Sequence, residues 1–274
     1  MKKNLFILLL IILLISPVFA YTDKNGYEYL KNKRHLTPMR PFVEKIAEKA
    51  IKRTLKKKIG SGNYKVKFRG YTLNSMKKGI FKNLEIVGKK LEIEDIKIPY
   101  LELISETDYN WLDYSENSIK IKSDIVFNYN LELTEDSINS ALKRDNYKNT
   151  LKKLNQKAYP LFNAENVSVK IRNDRLYIIM EYTLPISSNN KKRFFVISSN
   201  FAVTNGQIKA SDVTLDKSYG SIPLEKVVNL INMLDPLTFT LLELNEQSCK
   251  SQVKNVKIEN DIIKVDGVIY VKGE

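Results

Sequence analysis

The sequence predicts an α+β fold: a long N-terminal helix wrapped by a strongly curved antiparallel β-sheet, with two further helices. Three patterns predict it. Between Met39 and Ile59 apolar residues recur every three or four positions, the period of a helix with one wide apolar stripe. Over residues 119–133, Ile119, Ile121, Ile125, Phe127, Tyr129, Leu131 and Leu133 alternate with polar residues, Ser123 being the one gap. Such a strand would span about 50 Å at ~3.3 Å per residue, a length that has to twist and coil to pack on anything. Asn173-Asp174, Asn205-Gly206 and Asn260-Asp261 each interrupt two alternating runs, as tight hairpin turns do.

The elements follow in chain order. Residues 1–20, MKKNLFILLLIILLISPVFA, combine two lysines, an apolar run from Leu5 to Ile15, and Val18-Phe19-Ala20 before a cleavage point. This is the pattern of a secretory signal peptide cleaved after Ala20. The rival is an uncleaved anchor, but the run is shorter than the roughly 20 apolar residues a span requires. Tyr21 rather than Cys at the next position argues against a bacterial lipoprotein. Residues 21–37 read as a flexible lead-in, and 38–274 as a single domain.

Thr37 and Pro38 open the first helix as N-cap and N1, and Gly60-Ser61-Gly62 stops it after about Lys58. Its stripe is Met39, Phe42, Val43, Ile46, Ala47, Ala50, Ile51, Leu55 and Ile59; the lysines lie largely off it. The stripe has two readings, a core-facing surface or a lipid-facing one. Tyr64, Val66 and Phe68 then alternate with Lys65, Lys67 and Arg69, and the phase slips at Ile96 and again at Leu101, which calls for bulges. Thr134 caps a second helix that is expected to run on through Leu151 and Leu154, and Pro223 starts a third. Residues 166–178 and 255–265 share a strand, Asn-Asp turn, strand pattern, a faint internal repeat that two hairpins of one type also produce.

Composition narrows the chemistry. One Cys and one His, Cys249 and His35, allow neither an internal disulfide nor a Cys/His metal cluster. Gly60-Ser61-Gly62 follows a helix instead of preceding one, the wrong order for a phosphate-cradling loop, and no G-x-S-x-G elbow exists. Acidic groups such as Glu92 and Glu94 read as a solvated strand face. Tyr109, Trp111 and Tyr114 form an aromatic cluster suited to core packing or to an interfacial anchor. No catalytic residue, metal or cofactor is therefore expected. The formal net charge of +14 is uneven. Residues 21–90 carry +15 and the rest of the exported chain −3. Lysine drift across a genome would be uniform, so this asymmetry points to an anionic partner or, more plainly, to a solvated face.

Several segments together resemble the LmeA-like phospholipid-binding family, within the tubular lipid-binding grouping: LNSMKKGIFKNLEIVGKKLEIEDIKIPYLEL (73–103), with Gly79, Phe81, Leu84, Ile86 and Gly88; LTEDSINSAL (133–142); and NVKIENDIIKVDG (255–267). The resemblance spans most of residues 40–270 and implies a tubular lipid-binding-like fold with an apolar groove for acyl chains and no catalytic residues. The strong basic N-terminal quarter departs from the family's pattern. On this reading Phe42, Ile46, Ala50, Val66, Phe68, Ile125 and Phe127 line the groove. Lys65, Lys67, Arg69, Lys77, Lys78 and Lys82 meet the head group or membrane surface. The expected protein is an exported, periplasmic or extracytoplasmic monomer, peripheral to a membrane, that binds phospholipid or another anionic lipid and no nucleic acid. The alternative is a non-enzymatic scaffold or adaptor that binds an anionic envelope polymer or membrane surface through its basic N-terminal region.

Overall fold

The structure is a computed structural model and describes residues 40–93, 95–113, 120–158, 163–184, 192–215 and 250–273. The expected signal peptide, lead-in, Thr37-Pro38 cap, Pro223 helix, His35 and Cys249 lie outside these residues.

Four helices and thirteen strands make up the described chain. Helix α1 (Arg40–Lys58) leads into β1 (Gly60–Arg69), followed by the single turn α2 (Leu73–Lys77) and then β2 (Ile80–Phe81), β3 (Asn83–Ile93), β4 (Ile96–Ser105), β5 (Asn110–Asp113), β6 (Lys120–Ile121) and β7 (Ile125–Leu133). Helices α3 (Glu135–Leu142) and α4 (Asp145–Ala158) precede β8 (Asn163–Arg172), β9 (Arg175–Thr183), β10 (Arg193–Thr204), β11 (Gln207–Leu215), β12 (Lys250–Glu259) and β13 (Ile262–Val271). All pairings are antiparallel, in three sheets ordered β1-β3-β4-β7-β13-β12, β11-β10-β9-β8 and β2-β5-β6.

The three expected hairpins form, with positive φ at Asn173 (51°), Asp174 (55°), Asn205 (54°), Gly206 (73°), Asn260 (53°) and Asp261 (59°). These are the angles that the favoured two-residue turns demand, and Asn, Asp and Gly adopt them with least strain. The two repeat-like hairpins, β8–β9 and β12–β13, sit in different sheets. Of the two phase slips, one is a turn and the other coincides with an irregularity of the bulge type, where the register of β1 on β3 shifts between the pairs Ser61–Glu92 and Asn63–Lys89. The first is the turn into β4, with Asp95 at φ 70°. At the second, Lys90 at φ 51° stands opposite Pro99, and both strands change face together between the pairs Gly88–Leu101 and Leu91–Ile98.

The wrapped-helix α+β architecture is not what forms. The described residues are dominated by strands, and their sheets are open, neither closed nor strongly curled. Two features remove the conditions for wrapping. The expected fifteen-residue strand breaks at Ser123-Asp124: β6 pairs with β5 while β7 belongs to the six-stranded sheet. At the break the Ser123 hydroxyl accepts from Trp111 N (2.8 Å) and Asp124 Oδ1 accepts from Gly273 N (2.8 Å), so local polar contacts divert the chain. Helix α1, for its part, lies along the edge strand β1 instead of inside a sheet. The second expected helix is also divided. Thr134 caps α3 through a reciprocal pair with Ser137, and the chain turns at Lys143–Arg144 before α4 begins.

One apolar cluster joins α1, α3, α4 and the inner faces of the six- and four-stranded sheets, with Leu55, Leu133, Ile138, Leu176 and Val265 fully buried. Of the expected aromatic cluster, Trp111 is buried at 8% exposure and Tyr109 is half-buried, while Tyr114 lies outside the described residues.

Candidate anionic-surface interface

A strand at a sheet edge leaves backbone N–H groups without partners. Two such groups, one in β1 and one at the residue just past its end, are met from α1. Glu48 Oε1 accepts from Phe68 N at 3.1 Å, and Glu44 Oε1 accepts from Gly70 N at 3.0 Å. The spacings match: four helical residues advance about 6 Å and two strand residues about 6.7 Å. Helix α1 therefore runs back along β1 with its only two acidic residues turned inward beside Ile51 and Leu55.

This contact sets the rotation of the helix and splits the expected apolar stripe. Ile51 and Leu55 enter the core at 6% and 0% exposure, while Phe42 and Ile46 stand in solvent at 61% and 51%. Ala50 is half-buried. The outward arc, about 140° wide at 100° per residue, holds Lys52, Lys45, Lys56, Lys49, Phe42, Arg53, Ile46 and Lys57 in angular order, all exposed. It has six cations, no acid, and two apolar side chains near its middle. The decisive residues, Glu44 and Glu48, escaped the sequence reading. Their signal was two glutamates four apart on a helix that leads directly into an alternating strand.

The other groove candidates do not join Phe42 and Ile46. Val66, Ile125 and Phe127 are core residues at 8%, 1% and 2% exposure. Phe68 is half-buried, its ring centroid 5.5 Å from that of Phe81. These side chains pack against one another and fill the space between the elements themselves.

Of the head-group candidates, Lys65, Lys67 and Arg69 form one exposed row on the outer side of β1. Lys67 Nζ pairs with Glu85 at 2.7 Å, an exposed contact of a kind that contributes little to stability. Lys82 N donates to Arg69 O at 2.8 Å, which brings exposed Lys82 next to the end of that row. Lys77 and Lys78 sit at the C-terminal end of α2.

The outer face of the six-stranded sheet has a shallow recess of about 240 Å³ among Glu102, Ile104, Asn128, Asn130, Lys254 and Asp266. Lys254 Nζ donates to Asn128 Oδ1 at 3.2 Å, and Asn255 Nδ2 to Asp266 Oδ2 at 3.3 Å. Neighbouring Tyr129 has its phenol pKa raised, chiefly by burial. Among the described residues Asn130 Oδ1 is buried without a hydrogen bond, no three His, Cys, Asp or Glu side chains gather as a metal group would, and no helix is long and apolar enough to cross a membrane.

Comparison with known proteins yields no relative: no family model, no curated protein and no solved structure matches this chain.

Proposed function

We propose that this is an exported, non-enzymatic protein that binds anionic phospholipid or another anionic surface of the cell envelope, with the outer arc of α1 as the contact. The observation that carries this reading is the one-sided chemistry of α1. Both of its acids are bonded to β1, so six cations face solvent with no opposing charge from the same helix. The row Lys65, Lys67, Arg69 and neighbouring Lys82 supply further positive charge in the same quarter of the sequence. The resemblance to the LmeA-like phospholipid-binding family points to the same ligand class, although the wrapped-helix fold it implied is not the one found.

Basic residues near an anionic membrane contribute about 1 kcal/mol each at moderate ionic strength. Replacing Lys49, Arg53 and Lys56 by Gln is thus expected to weaken binding to phosphatidylglycerol-containing vesicles roughly a hundredfold. Sedimentation with vesicles, at rising salt, checks it. Equal binding to neutral phosphatidylcholine vesicles, or no effect of the triple substitution, would overturn the reading.

A further inference from the structure

We infer that α1 inserts into the surface it binds, with Phe42 and Ile46 as the inserted side chains, so that the partner is an anionic phospholipid bilayer and not a soluble polyanion. This rests on the proposed function and goes further by choosing between its ligands. A cationic arc alone is enough to hold any polyanion by charge. It gives no reason for a phenyl ring and a branched aliphatic chain to stand in water at 61% and 51% exposure, one turn apart in the middle of that arc. The other large apolar side chains exposed to a similar degree among the described residues, Ile104, Phe194 and Tyr270, lie on three different strands.

Around the helix Phe42 and Ile46 are flanked by Lys45 and Lys49 on one side and by Lys57 on the other, with Arg53 at an angle between the two apolar residues. Bulky apolar residues ringed by long cationic side chains are what a helix lying in a membrane interface requires. The apolar groups leave water for the acyl boundary while the ammonium and guanidinium groups stay at the level of the phosphates. The apolar pair occupies the N-terminal half of the arc and the cations predominate toward Lys57, so the N-terminal end sits deeper. Neither apolar side chain is in the core, and replacing them leaves the Glu44 and Glu48 contacts to β1 intact.

The test compares two probes and two variants of the purified chain. The probes are phosphatidylglycerol/phosphatidylcholine vesicles and soluble polyphosphate. The variants are Phe42→Ser/Ile46→Ser and Lys49→Gln/Arg53→Gln/Lys56→Gln. Insertion predicts that the apolar double variant loses vesicle affinity about thirtyfold, from the apolar area withdrawn from water, while its binding to polyphosphate is unchanged. The basic triple variant should lose both. A Phe42→Trp variant should show a blue-shifted emission with vesicles beyond the constant background of buried Trp111, and bromolipid should quench it. If the double variant and wild type bind vesicles equally while the triple variant fails, insertion is overturned and the charge reading stands. If wild type binds neither probe, both fail.

Discussion

Two sheet edges in this molecule solve the same problem with different side chains. At β1, the carboxylates of Glu44 and Glu48 accept from Phe68 N and Gly70 N. At β8, Asn139 forms a two-way pair with Val169, donating to its carbonyl at 3.0 Å and accepting from its N–H at 2.8 Å. Asn155 does the same with Ala164 at 2.8 and 2.7 Å, and Glu135 Oε2 accepts from Ile171 N at 3.2 Å. An amide imitates the missing strand, since it offers both a donor and an acceptor, whereas a carboxylate only accepts. The β8 edge is thereby closed in both senses and held by neutral groups for the most part. The β1 edge is held by charge, and using both acids there leaves the far side of α1 purely basic. Protection of one edge and the chemistry of the candidate interface are thus one arrangement.

The largest disruption is expected where α1 meets the core. Leu55→Ala removes a fully buried side chain and should lower stability by about 3 kcal/mol. Chemical denaturation checks this, and a loss below about 1 kcal/mol would mean that Ile51 and the two glutamates anchor α1 without Leu55. Next is the donor at the other edge. Asn139→Asp keeps the acceptor for Val169 N but sets a carboxylate oxygen against Val169 O, a change expected to cost about 2 kcal/mol. Faster amide exchange confined to β8 and its neighbours would locate the damage.

A comparable effect is expected from pH at the β1 side. Burial pushes the Tyr64 phenol up to about 12 from its usual 10. A group that resists ionisation in the fold stabilises it below pH 10, and that contribution is lost as pH rises from about 10 to about 12. Tyr64→Phe should flatten stability across this window, read as melting temperature against pH; an unchanged slope would assign alkaline unfolding to other groups. The smallest effect is expected at the charged clasp. Glu48→Gln retains an oxygen for Phe68 N, so only the charge-assisted part of the bond is lost, about 0.5 kcal/mol. A loss as large as that of Asn139→Asp would erase the distinction between the two edges.

What could be read from the chain was local. The three turns carry Asn, Asp or Gly where positive φ is needed, and the Thr134 cap lies three residues from its partner Ser137. What could not be read joins residues far apart. Glu48 meets Phe68 and Asn139 meets Val169, twenty and thirty positions away, and no periodicity signals a side chain that bonds to a distant backbone. The break at Ser123 was visible as a gap in alternation, yet only its contact with Trp111 N makes that gap a strand end.

By itself the sequence determined the spacing of the hairpins, the helix periods and the concentration of positive charge in residues 21–90. The tertiary structure decided which part of the wide apolar stripe of α1 is buried, and that the sheets stay open with the helix at an edge. The physical reason is that amphipathic spacing gives the angles between side chains but not the rotation of the helix. That rotation is set by the packing of Ile51 and Leu55 and by the unmet N–H groups of β1, which draw Glu44 and Glu48 inward and leave Phe42, Ile46 and the lysines facing out.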